Sequence, residues 1–269
     1  MQIHRAFGRP EGLWQRGSAA LTILIDYPVA LFAVLFVTLV SVVEIGCRLA
    51  LRTSVNGDKD LHEQIVAVRD GLSVLLSLLL AFSLAMVLTR FDLRKQLIVD
   101  EANAIGTTRL RAQMLAEPAR GKILNLLRTY LDARIEFTEA GLHQGKLQVS
   151  FSQAKQLQED IWQQAVAAAQ QNPTPITSIF VQSLNESIDL SERRLAALEN
   201  RIPGVLWIVL IFISMFTCLL VGYSMRRRAL LVMLLWPLMI SIVLALNADL
   251  DSPRAGLIQI GQQSIERLR

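Results

Sequence analysis

The sequence predicts an all-α membrane protein: four transmembrane helices, with a helical extramembrane domain between the second and the third. Three observations lead there. Apolar residues make up 52% of the 269 and the mean hydropathy is +0.41, above the apolar share of an ordinary soluble domain. The excess is gathered into four long runs nearly free of charge. Between the second and third runs, apolar residues recur at helical spacings in an otherwise polar stretch.

A hydrocarbon core about 30 Å thick takes on the order of 20 apolar helical residues to cross, because every backbone N–H and C=O must be paired within the segment. The windows Tyr27 to Ile45, Leu72 to Thr89, Gly204 to Ser224 and Ala229 to Asn247 meet that length. Arg5, Arg9 and Arg16 precede the first, as in a secretory signal. Its apolar core is too long for one, and Glu44-Ile45-Gly46-Cys47 lacks the small-x-small pattern of a cleavage site, so it reads as a retained span. The second window, LSVLLSLLLAFSLAMVLT, carries no charge.

The segment from Arg90 to Pro203 reads as four amphipathic helices. The first stripe is Ile98, Ala102, Ile105 and Arg109, stopping near Pro118. A second runs through Ile123, Leu127, Tyr130, Arg134 and Thr138, with Ile135 and Leu142 alongside, until Gly145. Leu157, Ile161, Ala165 and Ala169 form the third, ended by Asn172-Pro173. The fourth follows Pro175 with Ile176, Phe180, Leu184, Ile188, Leu195 and Leu198. The chain therefore divides into an N-terminal segment 1–26, spans 27–89, a helical domain 90–203, spans 204–247 and a C-terminal segment 248–269.

Four spans put both termini and the large domain on one side. Arg9, Arg16, Arg90, Arg94, Lys95, Arg194, Arg201 and Arg254 lie there, against Arg48, Arg52, Arg69 and the run Arg226-Arg227-Arg228 opposite. The positive-inside rule then predicts cytoplasmic termini and a cytoplasmic domain, with the triple arginine dissenting. The net charge of +4 and isoelectric point near 9.4 fit basic residues facing anionic headgroups; nucleic acid is not an expected partner.

Motifs for catalysis and metal binding were not found. Gly141 to Lys146, GLHQGK, is one residue short of a phosphate loop, and Leu147 stands where a magnesium-holding hydroxyl belongs. His4, His62 and His143 lack ligand spacing, and Cys47 and Cys218 fall in or beside apolar spans. The sequence predicts no enzyme activity, no cofactor and no metal site. Asp26 and Glu44 sit at the ends of the first span, and no acid or base lies near mid-membrane, which counts against a proton-coupled carrier but not against a channel.

LSLLLAFSLAMVLTRF (Leu76 to Phe91) resembles the pore-lining second helix of the bestrophin ion channels. IFVQSLNESIDL (Ile179 to Leu190), Arg201-Ile202-Pro203 and FTCLLVG (Phe216 to Gly222) resemble later bestrophin stretches in the same order. RFDLRKQLIVDEANAIGTTRLRAQMLAEPAR, with NESIDL, RIPGVLW and NADLDSPRAGLI, is similar to bacterial bestrophin-like membrane proteins long held as a family of unknown function.

The resemblance implies a homopentamer in the bacterial inner membrane, in contact with lipid, conducting small inorganic ions along its symmetry axis. Carried over residue by residue, it implies a pore neck at Val74, Leu78 and Phe82 and a cytosolic aperture at Ile179. The neck residues are spaced i, i+4, i+8 and share a helix face, a pattern also expected of any leucine-rich span packed on lipid or a neighbour. Anions such as chloride are slightly favoured, though only Phe82 supplies an aromatic edge. Where animal bestrophins carry a dense acidic calcium clasp after the fourth span, this chain has only Asp249 and Asp251, so calcium gating is not expected. The competing readings are a stator-like energy-transducing subunit and a non-conducting scaffold or sensor.

Overall fold

The computed structural model describes residues 27–52, 59–139, 143–225, 230–253, 256–258, 260–261 and 263–268. The N-terminal segment 1–26, the arginine run at 226–228 and Gly141-Leu142 lie outside them. Among the described residues every regular element is a helix. In chain order these are α1 (Pro28–Arg52), α2 (Lys59–Ala112), α3 (Ala119–Glu139), α4 (Gln144–Gln171), α5 (Pro175–Glu199), α6 (Gly204–Tyr223), α7 (Leu230–Asp251) and the short α8 (Gln263–Glu266). Four helical stretches, Pro28–Arg52, Asp60–Ala112, Pro175–Tyr223 and Met233–Asp251, are long and apolar enough to cross a membrane, and they take in α1, nearly all of α2, α5 with α6, and most of α7.

The chain forms two compact units. The first holds residues through Leu88, with Ile202–Ser252 and Gly256–Ile258; the second holds Thr89–Arg201, Pro253–Ala255 and Gln259–Arg269. In the first unit α1 packs against α6 and α7. Leu31, Leu35, Leu39, Val43, Cys47 and Ala50 repeat at steps of three and four, so a single face of α1 is buried. On α6, Trp207, Leu210, Ser214, Thr217 and Cys218 are buried, a set rich in small residues. Lipid tails are as apolar as leucine, so association of spans rests on close packing and interhelical hydrogen bonds, and small side chains permit both. One such bond is buried: the Asn247 amide donates to Ser83 Oγ at 2.8 Å, joining α7 to α2.

In the second unit α3 packs on α4 and α4 on α5 around Ile98, Ile105, Ile123, Leu127, Tyr130, Leu131, Ile161, Phe180 and Leu184. All of these but Leu131 are residues that the helical spacing singles out. Helix α5 starts where a cap is available: Thr174 accepts from the Thr177 N–H at 3.2 Å, and Pro175 fills the first turn, where its missing N–H costs nothing. Glu101, wholly buried, pairs with Arg134 at 2.7 Å and accepts a hydrogen bond from Arg194 Nη1 at 2.6 Å.

Three details depart from the sequence reading. The second span and the first amphipathic stripe are one helix, because Thr89 to Gln96 (TRFDLRKQ) contains no glycine or proline to stop it. Arg109 and Ile176, assigned to buried stripes, are exposed. At the start of α5 the buried position is Thr177, whose hydroxyl donates to the Asn172 carbonyl and is held there by the cap. Gly145, read as a break, sits in the first turn of α4.

Candidate pore-lining residues

One face of α2 within the first unit is packed: Leu76, Leu80, Ser83 and Val87 are buried at spacings of three and four. Val74, Leu78 and Phe82 lie on another face and are 69%, 52% and 63% exposed. Each would be poorly placed in water. Within a bilayer they meet lipid, another protein surface or a lumen.

In the second unit Ile179 is 40% exposed, outside the core that contains its neighbour Phe180. The Ile179 carbonyl accepts from Arg111 Nη1 at 3.0 Å, which ties this turn of α5 to the end of α2. Gln182, Glu186 and Arg193 follow Ile179 at three, seven and fourteen residues, so they share its side of the helix, with Asp189 close by. All four are exposed. Asn185 donates to Asp189 at 3.2 Å, and Gln182, Asn185, Glu186, Asp189 and Arg193 line a shallow groove along α5. Sequence reading passed over this polar row. A helical wheel centred on Ile179 shows it, because the row repeats at near-heptad spacing.

Behind that face the second unit holds a buried charge cluster. Burial pushes the Arg194 guanidinium below its ordinary range, while the Glu101 carboxylate beside it pulls the other way. The Tyr130 phenol is pushed up, chiefly by burial, and its oxygen accepts from Gln158 Nε2 at 3.0 Å. The same Gln158 nitrogen donates to Ser191 Oγ at 2.7 Å. The cluster fixes the position of α5 relative to α2 and α3 within this unit.

The two carboxylates after the fourth span are turned onto backbone. Asp251 accepts from the Ile202 N–H through both oxygens, at 3.1 and 3.3 Å. Asp249 accepts from Leu257 N–H at 2.6 Å and Ile258 N–H at 3.1 Å. Gly256, at φ +112°, makes that turn possible: its conformation is one L side chains rarely adopt, and a Cβ there would collide with the Asp249 carboxylate. Among the described residues no group of three or more His, Cys, Asp or Glu side chains is placed to hold a metal ion.

The helices and their packing define an all-α integral membrane protein. The family model of the bestrophin-like domain matches residues 34–265, and the chain belongs to the bestrophin-like family, whose members are channel-type membrane proteins. Comparison with curated proteins and with solved structures gave no match.

Proposed function

We propose that several copies of this chain, five by the family resemblance, form an ion channel with α2 innermost, Val74, Leu78 and Phe82 as its neck and Ile179 as a second constriction. The supporting observation is the apolar row on α2: three large side chains exposed on a helix whose other face is packed. One protomer with four spans has too few helices to enclose a hydrated path, whereas cyclic symmetry supplies one. A ring of apolar side chains passes ions when wet and blocks them when dewetted. In this reading the termini and the domain 90–203 are cytoplasmic, the membrane is the bacterial inner membrane, and the chain is not an enzyme.

Chloride is the leading permeant ion by resemblance. A second reading, cation conduction, is favoured by Glu186 and Asp189, which set two carboxylates against Arg193 on the Ile179 side of α5. A ring of carboxylates near a narrow aperture favours cations. Purified protein in liposomes, with chloride, sodium and potassium flux measured in turn, tests both. Flux of one sign above empty liposomes supports the channel and selects the ion; no flux from folded protein supports the scaffold reading instead.

A further inference from the structure

The second unit contains a cleft of about 470 Å3 between the last turn of α2, the outer face of α3 and the C-terminal segment. That volume lies within the usual range for small-molecule sites, about 300 to 1,000 Å3. Its rim is polar: Arg109 and Gln113 from α2 and the residues just past its end, Asn125 and Arg128 from α3. Asn125 and Arg128 are three residues apart and so project from one side of their helix. The floor is Leu124, the buried Leu131 and Leu268.

The rim carries two guanidinium groups, and among the described residues no carboxylate lines the cleft to offset them. Arg120, close by in sequence, is matched by Glu117 at 2.8 Å, whereas Arg128 makes no ion pair or side-chain hydrogen bond among the described residues. Arg109 Nη1 donates to the Leu268 carbonyl at 2.5 Å; this bond orients the guanidinium and leaves its other N–H groups for a ligand. Two guanidinium forks and two carboxamides facing a leucine floor suit a planar or tetrahedral oxyanion carried on a short apolar body.

We propose that this cleft binds a small anion bearing phosphate or carboxylate groups. Binding joins α2 and α3 to the C-terminal segment, since Arg109 already bridges the first and last of these. The source of the oxyanion is a free metabolite or a lipid headgroup. The proposal stands apart from conduction and holds whether or not the chain passes ions.

The test is calorimetric titration and thermal melting of the full-length protein in detergent with pyrophosphate, citrate and dihexanoyl phosphatidic acid. Saturable binding of at least one probe is expected, weakened about tenfold or more by Arg128→Gln and left unchanged by Lys155→Gln, an exposed cation on α4. Arg128→Lys, which keeps the charge and loses the fork, should fall between them. Binding of pyrophosphate or citrate identifies a free anion; binding of phosphatidic acid alone identifies a headgroup. Absence of saturable binding of all three up to about 10 mM overturns the proposal, as does equal binding by wild type and Arg128→Gln.

Discussion

Gly46 of α1 and Gly222 of α6 meet backbone against backbone. A Cβ placed on Gly46 would lie 3.2 Å from the Gly222 carbonyl carbon and 2.9 Å from the Tyr223 nitrogen, and one on Gly222 would strike the Val43 carbonyl group. Neither backbone can yield as a flexible side chain would. Gly46→Ala and Gly222→Ala should each destabilise the first unit by about 1 to 3 kcal/mol, the usual cost of overpacking. Gly71→Ala, at a helical site with open space around it, is the control and should stabilise by about 0.5 to 1 kcal/mol, the helix-propensity difference. Denaturant unfolding in detergent micelles checks all three.

Two faces of α2 should respond to truncation in opposite ways. Leu76 is buried, so Leu76→Ala should cost about 2 to 5 kcal/mol. Leu78 and Phe82 are exposed on the single chain, so Leu78→Ala and Phe82→Ala should leave the protomer's melting almost unchanged and raise liposome flux by widening and wetting the neck. Unaltered flux from a folded Leu78→Ala, Phe82→Ala double variant would remove the neck assignment.

Ile179 and Phe180 form a similar pair one residue apart. Phe180→Ala should lose roughly 3 to 5 kcal/mol, because the ring is fully buried. Ile179→Ala should barely move the melt yet change relative permeability among ions of different size. Ile179→Glu adds a carboxylate per protomer and should shift the reversal potential toward cations. If Ile179→Ala shifts melting strongly and selectivity not at all, the residue is structural.

Glu101 is the acid that two buried arginines share. Glu101→Gln keeps the shape and removes the charge, leaving Arg134 and Arg194 to repel each other away from water. A loss of about 3 to 5 kcal/mol is expected, the cost of breaking a buried pair from one side. Thermal melts of the full chain measure it; a change under 1 kcal/mol, within the range of an exposed pair, would mean that water reaches the cluster.

Asp249 and Asp251 should act as structural caps indifferent to calcium. Their oxygens accept backbone N–H groups, so a cation would have to displace those bonds. Millimolar-range calcium should leave the melting temperature of the wild type unchanged, and Asp251→Ala should lose about 1 to 3 kcal/mol with calcium or without it, by stranding the Ile202 N–H. A calcium-dependent rise in melting that Asp251→Ala abolishes would reverse this assignment.

Membrane spans and helical stripes were legible in the chain because both are local properties. Eighteen uncharged residues from Leu72 to Thr89 declare a span without reference to any partner. Likewise Ile123, Leu127 and Tyr130 declare a buried face through their spacing alone. The family resemblance was legible for the same reason, in ordered strings such as RIPGVLW and NADLDSPRAGLI.

Tertiary structure decided what spacing cannot. An apolar residue on a span satisfies the same pattern whether it faces a neighbour or the outside, so only the packing separates Leu76 from Leu78 on α2 and Phe180 from Ile179 on α5. Long-range partners are equally hidden: nothing local in the sequence joins Glu101 to Arg194, Asn247 to Ser83 or Asp251 to Ile202. Nor does it place Arg109 and Arg128 on one cleft, since those pairings exist only once helices distant along the chain lie side by side.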